Sequence, residues 1–178
     1  MARYALLLRG VNVGGNKKIA MAELRDLLAG CGYTEVATLL QSGNAVFTVA
    51  GNPARDKVIA TIEAAVAERF GTTVRCILRT RDELQAIVEE NPLAEVADNP
   101  SRYLVVFLAE AAPKGLGEEL DADAYRPDEF RVGRSEVYLW LPGGIADSKL
   151  GDYFVGRKAP VLGTGRNWNT LLKLLKAL

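Results

Sequence analysis

Two short stretches of this chain concentrate hydrogen-bond donors of the kind that hold anions. Residues 9–18, RGVNVGGNKK, place three glycines, two asparagines and three cations in ten positions. An apolar run at residues 4–8 precedes them, and a helix-like stretch starting near Met21 follows. Strand, glycine-rich loop, helix is the order that turns backbone N–H groups and the positive end of a helix towards phosphate. The spacing from Gly10 to Lys17 nearly fits the loop of nucleoside-triphosphate hydrolases. It fails where Asn16 stands in place of the lysine and Lys17 in place of the magnesium-binding hydroxyl. That chemistry is rejected, and general anion binding is kept. No Ser, Thr, Asp or Asn directly precedes Met21, which leaves helical N–H groups without a side-chain cap. The second stretch is residues 41–44, QSGN. A third cluster, GTGRNWNT at residues 163–170, offers Arg166 as a clamp for a carboxylate or phosphate, and Asn167 or Thr164 as a helix cap.

Groups able to catalyse are scarce. The chain has no histidine, which removes the commonest general base and metal ligand. Ser42 therefore has no imidazole to activate it, and no close carboxylate pair stands out. Asp147 and Asp152 read as surface or capping residues. The cysteines, Cys31 and Cys76, lack any metal-ligand spacing and read as buried, reduced thiols, so no metal site is expected. No reaction and no cofactor is assigned, and enzyme or not stays open.

Composition sets the outer bounds. The 178 residues are 49% hydrophobic and 25% charged, with 22 basic against 22 acidic side chains. These are globular values. A formal charge of zero weighs against a binder of long nucleic acids, whose affinity comes from neutralising phosphates. The apolar run after residue 3 is too short for a signal peptide or a membrane span, so a cytoplasmic protein with no membrane partner is expected.

The elements that must position the polar clusters follow from periodicity. A strand at 4–8 leads to a helix from Met21 to Gly30. Two short runs, 36–40 and 45–49, flank residues 41–44 as a hairpin, with Ser42 and Gly43 at its tip and Gly43 at positive φ. Asn52 and Pro53 suit the cap and first position of a second helix. A strand at 73–78 closes residues 1–79 as β-α-β-β-α-β, the ferredoxin-like order. Thr80 and Glu83 make a capping box for a third helix. Residues 80–178 form a second α+β lobe. It contains a strand at 103–108, a short helix near Leu116, a hairpin around Gly133-Arg134-Ser135, and a last helix from Trp168 to Ala177. The fold expected is α+β, two associated lobes with the first ferredoxin-like. No internal repeat is evident.

Topology then brings clusters together. In the βαββαβ order the end of the first strand and the turn between the second and third lie at one edge of the sheet. Residues 9–18 and 41–44 become neighbours.

At these residues the chain resembles a bacterial family of uncharacterised proteins, domain of unknown function 1697, along nearly its whole length. The family's "LLRGINVGG", Asn-Lys and methionine-led helix stand here as LLLRGVNVGGNKKIAMAELRDLL. Its "IQSGNVVF" stands as LQSGNAVF, and its "TRNWNT" as TGRNWNT, with Gly165 where the family has a second threonine. The resemblance implies two α+β lobes and no established activity.

The expected function is binding of a small anionic ligand, phosphate-bearing or nucleotide-like. Arg9, Asn12, Gly14, Gly15, Asn16, Lys17, Gln41, Ser42 and Asn44 would line the site, with Arg166, Asn167 and Asn169 added from the second lobe. Arg9 has a competing reading as the ion-pair partner of Glu23 or Asp26. Two alternatives remain. One is an RNA-binding sheet, for which Tyr4 and Phe47 are the aromatics on offer. The other is a protein-interaction module without ligand. Oligomeric state is not legible.

Overall fold

The computed structural model describes residues 1–15 and 17–178. The chain packs as two compact units, Met1–Ala86 with Lys173–Leu178, and Ile87–Leu172. The division between these units falls inside the third helix, and the end of the last helix counts with the first unit. Among the described residues, no helix is long and apolar enough to cross a membrane.

The first unit runs β1 (Ala2–Leu8), α1 (Met21–Gly30), β2 (Thr34–Leu39), β3 (Asn44–Val49), α2 (Arg55–Phe70), β4 (Cys76–Arg79) and α3 (Arg81–Glu89). Its strands lie in the order β2-β3-β1-β4, every neighbour antiparallel. This is the βαββαβ arrangement read from the sequence. Tyr4, Leu6 and Leu8 of β1 and Phe47 of β3 pack with Leu24, Leu27 and Leu28 of α1 and Val58, Ile62 and Val66 of α2. Burying each large apolar side chain contributes about 1.5–3 kcal/mol. Residues on the opposite face, Ala5, Leu7, Val46 and Ile77, are buried as well. That explains why residues 4–8 read as an unbroken apolar run rather than an alternation.

Local rules decided most boundaries, and tertiary contacts moved the rest. Helix α2 starts at Arg55, after Ala54 and without a side-chain cap, not at Asn52-Pro53. Its first residue is held from outside the helix. Arg55 donates two hydrogen bonds to the Glu83 carboxylate, at 2.8 and 3.1 Å, and lies 5.8 Å from the Tyr4 ring centre. The capping box of α3 forms as expected. Thr80 N–H donates to Glu83 Oε2 at 2.7 Å, and Glu83 N–H to Thr80 Oγ1 at 3.3 Å.

Glu83 therefore joins two helices. Burial pushes its carboxyl upwards, but hydrogen bonds from Arg55 and Thr80, with the charges of Arg55 and Arg79, hold it below the usual carboxylate value. A depressed folded-state pKa contributes stability above the unfolded value, and that stability is lost as pH falls through the folded one. Glu83→Gln should cost about 1–2 kcal/mol at neutral pH, since the pair is a third exposed and screened. Urea midpoints at neutral and acid pH check this: the gap between wild type and variant should narrow in acid.

The second unit contains β5 (Tyr103–Leu108), a 3-10 turn (Ala122–Tyr125), β6 (Glu129–Val132), β7 (Glu136–Trp140), α4 (Lys149–Val155), β8 (Gly163–Asn167) and the first half of α5 (Trp168–Ala177). Its order, β6-β7-β5-β8, repeats that of the first sheet. The correspondence reaches single residues. Arg79 pairs with Ala5 and Arg166 with Val105. Both arginines are buried, and each donates Nη1 to the carbonyl of the residue before it, at 2.9 Å. Thr80 and Asn167 follow them as the caps of α3 and α5. At the end of the first strand, Leu8 N–H bonds the Gly43 carbonyl and Leu108 N–H the Ser135 carbonyl, each at 2.9 Å.

Two expectations need correcting here. Residues near Leu116 form turns rather than a helix; Gly115 and Gly117 both have φ +81°. Residues 163–167 are a strand, which the sequence reading missed. Gly163 is there because β5 comes too close for a side chain: a Cβ would fall 2.8 Å from Val106 Cγ1 and 3.0 Å from the Phe107 carbonyl.

Candidate functional site

The end of β1 and the start of β3 are paired, Leu7 opposite Asn44, so the loop after β1 and the β2–β3 turn leave the sheet at the same edge. The predicted convergence of the two loops is observed, and one side chain makes it. Asn12 lies at φ +56°. Its Nδ2 donates to the Gln41 carbonyl at 2.6 Å and to the Ile19 carbonyl at 2.9 Å, while its Oδ1 accepts from Ile19 N–H at 2.9 Å. Asn12 N–H also donates to the Lys17 carbonyl at 3.1 Å.

An open cleft of about 400 Å3 lies against this junction, lined by Asn12, Gly15, Lys18, Ile19, Ala20 and Gln41. Ala20 is the N-cap of α1 and has no side chain to cap it. The cleft thus meets the N-terminal end of the helix, as the absence of a capping residue before Met21 implied. Helical N–H groups and the partial positive charge of that end favour an anion. Lys18 adds a full charge.

Left-handed backbone is concentrated at this edge. Gly10, Asn12, Gly14, Gly15, Lys17, Leu40 and Gly43 all have positive φ. The turn runs from Leu40 to Gly43, because Leu39 already pairs with Asn44.

The candidate residues divide into three groups. Asn12, Gly15 and Gln41 line the cleft. Gly14 is exposed on the same loop. Asn16 lies outside the described residues. Others serve the frame. Lys17 Nζ donates to the Thr73 carbonyl at 2.9 Å, on the approach to β4. Asn44 is fully buried, and its amide donates to the Leu39 carbonyl at 3.1 Å and to Ser42 Oγ at 2.9 Å. Ser42 and Asn44 therefore brace the turn. Arg9 is half-buried at the end of β1, its N–H on the Arg75 carbonyl at 2.9 Å. Of its two suggested carboxylate partners, Glu23 instead meets Arg69 at 3.7 Å.

The third group belongs to the second unit. Arg166 sits in β8, and burial pushes its pKa down to about 10, so it stays protonated at neutral pH. Its Nη1 donates to Thr164 Oγ1 and to the Gly165 carbonyl, both at 2.9 Å. Asn167 caps α5 by accepting from Thr170 N–H at 3.0 Å. Asn169 Nδ2 donates to Ser101 Oγ at 3.3 Å.

Lys18 is the cation that lines the cleft. The sequence reading counted it among the loop's donors but put Lys17, and not Lys18, in the site. Among the described residues, no three His, Cys, Asp or Glu side chains are placed to hold a metal ion. Both cysteines are free, and burial pushes the Cys76 thiol up to about 12, far from a reactive thiolate.

The fold has a solved counterpart. Over 99% of this chain and 98% of the other, it is similar to the conserved bacterial protein SP0830 from Streptococcus pneumoniae, with a TM-score of 0.77 at 24% identity. That degree of likeness speaks for the fold alone. No curated protein matches the chain. The family model described as protein of unknown function, DUF1697, matches residues 1–138. The matched span includes both loops of the cleft and stops short of GTGRNWNT. Its extent decides membership: the chain belongs to the DUF1697 family of proteins of unknown function.

Proposed function

We propose that this protein binds a small anionic ligand, phosphate-bearing or nucleotide-like, in the cleft beside Asn12 and Gln41. The observation that carries the reading is the meeting of two loops over a cleft that holds one cation, Lys18, and the uncapped start of α1. A volume of about 400 Å3 suits a small molecule, since such sites run to about 300–1,000 Å3. Asn12 and Gln41 fix the walls, and Lys18 and the helix end supply the charge. No reaction is assigned to the site. We also read the protein as cytoplasmic, a reading supported by its two free cysteines.

The RNA-sheet alternative loses its platform. Tyr4 and Phe47 are 6% and 0% exposed and pack in the helix-facing core, so neither can stack on a base.

Titration calorimetry with inorganic phosphate tests the proposal. Binding should saturate. Lys18→Ala should weaken it about tenfold or more, as expected for a lost charge-assisted hydrogen bond. The melting temperature should stay within about 1 °C, because an exposed cation contributes little to folding. Lys17→Ala should change affinity less than about threefold, since its ammonium is held at Thr73. Absence of saturable binding, or equal losses at Lys17 and Lys18, would sink the proposal.

A further inference from the structure

The residues that line the cleft differ in what they have left to offer a ligand. Asn12 is spent. Both of its amide hydrogens go to the Gln41 and Ile19 carbonyls, and its Oδ1 already accepts from Ile19 N–H. Gly15 has no side chain, Ala20 offers one methyl, and Ile19 is packed in the core at 1% exposure. Gln41 and Lys18 remain. Gln41 is fixed by its main chain, whose carbonyl accepts from Asn12 Nδ2 at 2.6 Å. Its side-chain amide carries two N–H donors and a carbonyl acceptor. Neither that amide nor the Lys18 ammonium makes a hydrogen bond or ion pair with the described residues. The described lining therefore presents one charge and one neutral amide, with no aromatic ring and no exposed large apolar side chain. A nucleobase gains affinity by stacking on surface of that apolar kind. A hydroxylated molecule gains it from amide hydrogen bonds.

We infer that the ligand of this cleft is the phosphate ester of a small hydroxylated molecule, a sugar phosphate of pentose size, and that Gln41 is the residue that selects it. The inference rests on the anion-binding reading above and names the rest of the ligand. The phosphate sits with Lys18 and the start of α1. The Gln41 amide donates to one hydroxyl of the ester and accepts from another, so it discriminates without adding charge. Phosphate alone would leave that amide and much of the cleft of about 400 Å3 unused. A nucleotide would bring a base for which the lining has no stacking surface.

The test compares inorganic phosphate, ribose 5-phosphate and adenosine monophosphate by calorimetry, on wild type and on Gln41→Leu. Leucine keeps the main-chain carbonyl that Asn12 holds and removes only the side-chain amide, so the turn and the melting temperature should be retained. Wild type should bind ribose 5-phosphate at least about fivefold more tightly than phosphate, the gain from one net hydrogen bond. In Gln41→Leu that ratio should fall towards one. Adenosine monophosphate should bind wild type no more tightly than ribose 5-phosphate, because its base adds no contact. An unchanged ratio in Gln41→Leu, no preference for ribose 5-phosphate over phosphate, or a clear preference for adenosine monophosphate over ribose 5-phosphate overturns the sugar phosphate and leaves anion binding standing. Failure of all three to bind removes both readings together.

Discussion

Gly43→Val is expected to lower the folding free energy by about 3 kcal/mol or more, the largest single-residue effect at the candidate site. Two costs add. Gly43 has φ +80°, where a β-branched residue is strained. It is also buried at the point where the turn touches the end of β1. A Cβ there would overlap Val11 Cγ2 and fall 2.9 Å from Leu8 Cβ. Val11 and Leu8 are both about 1% exposed and packed in the core, so neither can move aside cheaply. The Gly43 carbonyl meanwhile accepts from Leu8 N–H at 2.9 Å, so rotating the backbone to relieve φ would break that bond. Gly43→Ala should already show most of the loss, because the first carbon makes the overlap. Chemical denaturation followed by circular dichroism measures it. An alanine variant within about 0.5 kcal/mol of wild type would mean that the turn relaxes freely, and the account of Gly43 would fail.

The sequence reading went furthest where one element could be judged from its own residues. The apolar runs at 4–8 and 103–108, the Thr80–Glu83 box and the glycine of the β2–β3 turn all carry local causes, and all are present. The loop convergence was also legible, because it follows from strand direction rather than from side chains. What failed depended on partners distant in sequence. The start of α2 moved to Arg55 because Arg55 reaches Glu83. Strand β8 hid in a glycine-containing segment whose glycine answers to the closeness of β5. The repetition of one strand order in both halves was invisible, because turns and a 3-10 segment follow β5 where α1 follows β1.

The site shows the same division. Residue types named the two loops that meet at the cleft but could not separate residues that line it from residues that hold its walls. Asn44 and Lys17 carry donors, as a binding site needs, and the fold directs both to backbone carbonyls. Lys18 reads no differently from Lys17 in the sequence. Only the placement of the chain between Asn12 and Ile19 puts it in the cleft.

Asn12 joins these two roles, and Asn12→Ala is expected to cost about 3 kcal/mol. Its side chain makes three hydrogen bonds, two with the Ile19 peptide groups and one with the Gln41 carbonyl. Each contributes about 1 kcal/mol net, and the partly buried Ile19 N–H is left without its acceptor. Alanine at φ +56° adds about 1 kcal/mol of backbone strain that asparagine largely escapes. Losses of this kind overlap, so the sum is an upper estimate. Asn12→Gly separates the parts: it loses the same bonds without the strain, and should be about 1 kcal/mol more stable than Asn12→Ala. Asn12→Asp keeps an acceptor for Ile19 N–H but sets a carboxylate against two carbonyls, and should be no better than alanine. Phosphate affinity should fall in all three, because the cleft is bounded by the two loops that Asn12 ties together. The contrast with Lys18→Ala is the decisive point. Lys18 should affect binding without stability, and Asn12 both. Denaturation of the Asn12 series, with hydrogen exchange at Ile19 N–H as the local readout, checks this directly. Binding lost with stability and Ile19 protection intact would make Asn12 a ligand donor rather than the tie between the loops.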